Sequence, residues 1–182
     1  RALTTEPPGE CVPPGPRMNP WLHTGAQPVS VAGRLHDLLT GLWSRGEFHR
    51  QYDGTVTAIP RRPVPSAGGS YGVHTHLVVG KTGLDNLKPG RYVYEHEGSQ
   101  LLHRCNDSEQ YDGWPKETVD LDGTALVFTV QPGRAFGRYR HRAWPLWIAD
   151  AAYAWHAVEF LLAQEPDVQL GPGAALRHLL GV

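Results

Sequence analysis

Apolar residues recur at helical spacing in two main parts of the chain. The first stretch runs from Val31 to Trp43, and Ser30 before it predicts an N-capped amphipathic helix. The second runs from about Pro145 to Ala163 and predicts a long helix, with a short final helix over residues 174–180. Apolar positions on the two main stripes are Val31, Leu35, Leu38, Leu39, Leu42 and Trp43, then Trp147, Ala151, Ala154, Val158 and Leu161.

Strand-like patterns occupy the middle of the chain. Residues 73–79 and 124–130 are rich in β-branched side chains and predict two strands. Between them, a Pro-Gly turn signal at residues 88–91 introduces a predicted β-hairpin of residues 91–96 and 100–104. The order helix, strand, hairpin, strand, long helix predicts an α+β domain over residues 30–182. Residues 1–29 are Pro-rich and predict a flexible arm.

Composition and charge indicate one globular domain and argue against nucleic acid and membranes as partners. A chain of 182 residues with 40% apolar side chains and six Trp is typical of one globular domain. Its formal net charge of −1 gives no general attraction to nucleic acid or to an anionic membrane. No segment reaches the roughly 20 apolar residues of a membrane span. With two cysteines and no apolar signal core near residue 1, the sequence predicts a cytoplasmic protein that binds neither nucleic acid nor membrane.

Three short stretches carry candidate chemistry: RRPVPSAGGSY at residues 61–71, LKPGRYVYEH at residues 87–96, and GRYRHRA at residues 137–143 followed by IADAAYA at residues 148–154. In the first, Gly68 and Gly69 have no Cβ and permit close approach to a flat ring. Ser66, at the start of a predicted short helix, offers a hydroxyl and a free N-terminal N–H, and Arg61 and Arg62 offer cations for phosphate or an electron-rich ring edge. Taken without the other two stretches, the same residues also fit a plain basic loop and a Gly-rich turn.

In this order the three stretches resemble the SagB-type peptide dehydrogenases of the nitroreductase superfamily, flavoenzymes that oxidise azolines to azoles. The resemblance runs from about residue 35 to residue 180. It implies a nitroreductase-like mixed sheet of about four strands flanked by helices and shortened at both ends. It also implies a peptide or carrier-bound small-molecule substrate and a homodimer or heterodimer. The implied site is FMN bound by Arg61, Arg62, Ser66, Gly68 and Gly69, with Tyr139 as base and Arg138 assisting.

Departures from the family pattern keep a second interpretation open. Arg138 stands where the azoline oxidases carry Lys, and Ala152 and Tyr153 replace a Gly and a His. Arg cannot exchange a proton at ordinary pH. Arg138, Arg140 and Arg142 also fit a solvated basic helix edge. The alternative is a catalytically degenerate module that binds a partner or completes a heterodimer without flavin.

Ten histidines raise the question of a metal site. His74 and His76 are two positions apart on a predicted strand, so both imidazoles lie on one face. His23, His96, His103 or His141 would have to complete the ligand set. No carboxylate cluster accompanies them, so the sequence predicts no metal.

Overall fold

The computed structural model describes residues 25–104 and 122–163, together with Leu176 and Leu180. The described chain forms seven strands, three α-helices and short 3₁₀ turns at residues 67–69 and 140–142. In chain order they are β1 (Gln27–Val29), α1 (Gly33–Trp43), β2 (Phe48–Arg50), β3 (Val56–Pro60), β4 (Val73–Val79), β5 (Gly90–Glu95), β6 (Gln100–His103), β7 (Thr124–Val130), α2 (Gly133–Tyr139) and α3 (Ala143–Leu162).

The chain divides into two compact units. The turn unit comprises the described residues 38–73 and 129–163, and it contains the first and third of the three stretches. The sheet unit comprises residues 25–37, 74–104 and 122–128, with Leu176 and Leu180. Leu180 is fully buried, although most of the predicted final helix lies outside the described residues.

Five strands make one sheet in the order β1-β6-β5-β4-β7. The pairs β1–β6, β5–β6 and β4–β5 are antiparallel. The edge β4–β7 is also antiparallel, because hydrogen bonds join Gly80 N–H to the Gly123 carbonyl and Gln131 N–H to the Gly72 carbonyl. The α+β class is therefore confirmed. The described sheet has five strands rather than about four, and it is antiparallel rather than mixed.

Strand β4 is buried along its whole length. Its run of Val, Thr and Leu suits a strand covered on both faces, and the predicted bounds of residues 73–79 are confirmed. Tyr92 and Tyr94 on β5 are also buried, which confirms the packing role that the sequence predicts for them. Burial raises the pKa of Tyr92 to about 12, while its hydroxyl donates to the Lys88 carbonyl.

The structure corrects the predicted start of α1. The helix begins at Gly33, so Ser30 is not its N-cap. Residues 27–29, which the sequence places in the arm, form β1 instead, and the Ser30 carbonyl accepts a hydrogen bond from Asn86 Nδ2 at 3.0 Å. The predicted apolar stripe is otherwise buried from Leu35 onward.

Two elements of the turn unit carry no strong periodic signal in the sequence. The β2–β3 hairpin is mostly exposed, so it lacks the alternation that marks a half-buried strand. Helix α2 has only seven residues. Helix α3 begins at Ala143, two residues before the predicted start, and Ala163 ends it in a left-handed conformation. Leu161 is exposed, so the predicted stripe of α3 is wrong at that position.

Candidate functional site

The Gly-rich stretch forms a tight turn that a single carboxylate holds at its start. Ser66 precedes the 3₁₀ turn in an extended conformation. Its hydroxyl donates to Asp150 Oδ2 at 2.6 Å, and the Ala67 N–H donates to Asp150 Oδ1 at 3.0 Å. Both oxygens of a carboxylate on α3 are thereby bound to adjacent residues of the turn.

Further hydrogen bonds hold the end of the turn. Tyr71 N–H donates to Ser66 Oγ at 2.8 Å, which closes the loop on itself. Arg134 on α2 donates from Nε to the Ser70 carbonyl at 2.6 Å. Side chains from α2 and α3 therefore hold both ends of residues 66–71.

Asp150 is a buried carboxylate with an altered pKa. Its side chain is nearly inaccessible, and this burial raises the pKa of the carboxyl above its ordinary value. The hydrogen bonds from Ser66 and Ala67 act in the opposite direction, because they favour the ionised form. Burial is the larger of the two effects.

Gly68 brings the turn against the predicted catalytic residues. The residue is exposed and has φ of +58°, a conformation in which glycine avoids the strain of other residues. A Cβ at this position would lie 2.5 Å from the Tyr139 hydroxyl oxygen and 3.0 Å from an Arg138 guanidinium nitrogen. The structure thus places one predicted flavin-binding residue beside both predicted catalytic residues.

Arg138 and Tyr139 close α2 and lie partly buried. The guanidinium carbon of Arg138 is 5.2 Å from the centre of the Tyr139 ring, a cation–π distance. Tyr139 also packs against the cluster of Ala135, Ala143 and Trp147, which fixes the ring. Arg138 is partly buried, whereas Arg140 and Arg142 are exposed, so the interpretation of the three as a solvated helix edge fits two of them.

Gly69 serves the packing of the same turn. It also has positive φ, +65°, and a Cβ there would lie 2.5 Å from Ile59 Cγ2. Glycine is therefore required by the turn and by the side chain of β3. Its contact with Ile59 is a structural reason for glycine that does not involve a ligand.

The two arginines before the turn differ in their environments. Arg62 is buried, donates from its guanidinium to the Trp43 carbonyl at the end of α1, and lies 5.6 Å from the Tyr71 ring centre. Its backbone N–H donates to the Tyr71 hydroxyl at 3.1 Å. Arg61 is exposed, and its backbone bonds to residues 46 and 47. Of the two, Arg61 has the exposure that a phosphate-binding side chain needs.

The residues of the turn fit the ring edge of a flavin but not its phosphate. Gly68 offers an exposed backbone without Cβ, next to a cation and a phenol, which suits the edge of a planar ring. The Ser66 hydroxyl and the Ala67 N–H do not fit a phosphate in this conformation, because Asp150 already accepts from both. A phosphate there would also face a buried carboxylate.

Sequence reasoning assigned no role to Arg134, and none to Asp150 although it lies in the third stretch. The signal for Asp150 is its position as the only acidic residue in the apolar run of residues 143–158. An ionisable group on the buried side of a helix requires hydrogen-bonding partners. Nothing in the spacing of Arg134 points to the Ser70 carbonyl.

The histidines of the sheet unit lie in a different environment. His74 and His76 face the same side of β4, with ring centres 6.3 Å apart. Burial and the neighbouring His74 lower the pKa of His76 to about 3. Within residues 25–104 and 122–163, no three His, Cys, Asp or Glu side chains group closely enough to hold a metal ion. His23 lies outside the described residues.

Among the residues that the structure describes, none of the helices is sufficiently long and apolar to cross a membrane.

Comparison with known proteins gives a structural relationship. No family model matches the chain, and no curated protein matches it. The chain is similar to the crystal structure of a candidate nitroreductase from Anabaena variabilis ATCC 29413, with 25% identity over 71% of this chain and a TM-score of 0.51. The match covers 26% of that structure, so the chain spans about a quarter of its length. The fold of this chain is therefore nitroreductase-like, as the sequence predicts.

Proposed function

We propose that the chain is a flavin-dependent oxidoreductase module that binds FMN and dehydrogenates a peptide-derived heterocycle, in an azoline-to-azole type of oxidation. The observation that carries the proposal is the approach of Gly68 to Tyr139 and Arg138, since it joins residues from two separate stretches of the sequence. The nitroreductase-like fold supports flavin chemistry. The substrate class rests on the resemblance of the three stretches.

FMN, when bound, supplies the acceptor for a hydride from the substrate carbon. The exposed backbone of Gly68 would contact the cofactor, and Arg61 is the exposed cation for its phosphate. Gly69, Ser66 and Arg62 would act by holding the turn in place. Tyr139 would be the base for the proton that leaves the neighbouring substrate carbon, so that the substrate loses one hydride and one proton. Arg138 would keep a permanent positive charge beside that ring.

The first test is the cofactor. The purified protein should show a flavin absorption spectrum, and heat denaturation should release close to one FMN per chain. Tyr139→Phe should retain the flavin and lose turnover of an azoline-containing peptide. Wild-type turnover in Tyr139→Phe would remove Tyr139 from the mechanism.

A second candidate is a flavin-free binding module. The observation in its favour is the use of the Ser66 hydroxyl and the Ala67 N–H by an internal carboxylate. A colourless protein that also takes up no added FMN, while unfolding cooperatively, would favour this candidate.

The proposed assembly is a homodimer or a heterodimer, and helix α3 supplies its supporting observation. Trp144 and Ile148 lie one turn apart on this helix and are 61% and 71% exposed. Two neighbouring large apolar side chains on the surface form a patch that a partner would remove from water. Ile148→Glu should convert a dimer to a monomer in light scattering, whereas His156→Glu, at an exposed polar position of the same helix, should leave the mass unchanged. A monomeric wild-type protein at micromolar concentration would contradict the homodimer.

A further inference from the structure

We propose that Asp150 is the positioning residue of this site: its carboxylate holds the Ser66–Gly69 turn in the conformation that presents Gly68 beside Tyr139. The proposal rests on the proposed function in so far as it concerns a flavin. Asp150 would touch neither cofactor nor substrate. Its effect would pass through the turn.

The geometry of the carboxylate supports this role. Asp150 Oδ2 accepts from the Ser66 hydroxyl at 2.6 Å, and Oδ1 accepts from the Ala67 N–H at 3.0 Å. A two-point attachment restricts both the position and the orientation of the first turn residues. Gly68 follows directly, so its close approach to the Tyr139 hydroxyl depends on where Ala67 is held.

The residues that hold the turn and the proposed base are close together in the sequence. Asp150 lies on α3, which follows Tyr139 after the 3₁₀ turn of residues 140–142. Arg134 on α2 holds the other end of the turn through the Ser70 carbonyl. Residues 133–162, two helices joined through Arg140 and a 3₁₀ turn, therefore carry the proposed base and two side chains that hold the turn.

The hydrogen-bonding chemistry suggests a pair of variants that separates charge from attachment. In Asp150→Asn, the amide oxygen can accept from the Ala67 N–H, and the amide nitrogen can donate to Ser66 Oγ. That variant keeps both attachments without the charge. Asp150→Ala removes both. Glu159→Gln is the matched control, since it neutralises the other acidic residue of α3 at a side chain bonded to His156.

The test measures amide hydrogen exchange of residues 66–71 in the protein as purified. We expect exchange roughly tenfold faster in Asp150→Ala, because two charge-assisted hydrogen bonds are lost. Protection should return in Asp150→Asn and remain at the wild-type level in Glu159→Gln. Wild-type protection of the turn in Asp150→Ala overturns the proposal. If Asp150→Ala fails to fold, Asp150→Leu, which is of similar size and has no acceptor, should show the same faster exchange at Ala67, and wild-type protection there overturns the proposal equally.

Fluorescence titration with FMN and with riboflavin supplies the second measurement. Asp150→Ala should weaken the binding of both flavins by the same factor, about tenfold, and Asp150→Asn should restore it. Unchanged flavin affinity in Asp150→Ala, together with a deprotected turn, overturns the link between the turn and the ligand. A wild-type protein that binds neither flavin, but whose turn loses protection in Asp150→Ala, contradicts the proposed function and supports the positioning role of Asp150.

Discussion

Asp150 in the turn unit and His76 in the sheet unit are both buried ionisable groups, and burial moves their pKa values in opposite directions. The pKa of Asp150 is raised, and the pKa of His76 is lowered to about 3. In both cases burial disfavours the charged form. The two sites differ in the groups that surround the ionisable side chain. Asp150 receives hydrogen bonds from Ser66 and Ala67, whereas His76 has another imidazole, His74, beside it.

This difference has opposite consequences for stability as the pH changes. A carboxyl whose pKa is raised on folding binds its proton more readily in the folded state, so acid favours folding at Asp150. A histidine whose pKa is lowered on folding binds its proton more readily in the unfolded state, so acid opposes folding at His76. The comparison therefore predicts that the sheet unit, and not the turn, is the acid-sensitive part.

The largest expected effect is that of removing the carboxylate from the turn. Asp150→Ala should lower the free energy of unfolding at neutral pH by about 2–4 kcal/mol, because the Ser66 and Ala67 donors lose their acceptor. Asp150→Asn should cost less than about 1 kcal/mol, since it keeps partners for both groups and removes a buried charge. Urea unfolding of both variants provides the measurement. Equal losses in the two variants would show that the charge, and not the attachment, stabilises the turn.

The next largest effect is the loss of stability in acid that His76 causes. Between pH 6.5 and the lowered pKa of His76, this residue should reduce the free energy of unfolding by up to about 1.4 kcal/mol per pH unit. His76→Gln, which has no titrating ring, should flatten that dependence in urea unfolding at pH 7, 6 and 5. The control is His156→Gln, because His156 is exposed on α3. A slope in His76→Gln identical to that of the wild type would assign the acid sensitivity to other groups.

A smaller effect tests the close approach of the turn to Tyr139. Gly68→Ala should lower the free energy of unfolding by about 2 kcal/mol. The positive φ strains an alanine, and its Cβ would lie 2.5 Å from the Tyr139 hydroxyl. Gly54→Ala is the control: its φ of +85° imposes strain, but nothing lies within 4 Å of the added Cβ. We expect Gly54→Ala to lower the free energy of unfolding by about 1 kcal/mol. Thermal unfolding of the two variants measures the difference, and equal shifts would mean that the Tyr139 contact is unimportant.

The smallest effect is expected at the surface of α3. Glu159→Gln should change the free energy of unfolding by less than about 0.5 kcal/mol, because its partner His156 is exposed and surface pairs contribute little. The same urea titration as for Asp150 measures it. A loss comparable to that of Asp150→Ala would mean that any acidic residue on this helix matters, which would weaken the argument for the carboxylate at the turn.

Regular patterns in the sequence predict the strongly periodic elements of the fold. The bounds of β4 and β7 are confirmed, and α3 begins two residues before its predicted start. These elements are buried or partly buried over most of their length, so burial selects apolar residues at the spacing of each element. The β2–β3 hairpin and the short α2 escape prediction, because exposed or brief elements place few constraints on hydrophobic spacing.

The candidate site separates what the sequence determined from what the tertiary structure decided. The residue types determined the local possibilities: glycines that accept positive φ at residues 68 and 69, and a phenol beside a guanidinium at residues 138 and 139. Only the tertiary structure decided that Ser66 and Ala67 donate to Asp150, more than 80 positions away along the chain. It also decided that Arg62 is buried against the Trp43 carbonyl while Arg61 stays exposed. The physical reason is that spacing along the chain constrains neighbours within one helix or strand, whereas a buried donor finds its acceptor through the packing of distant segments.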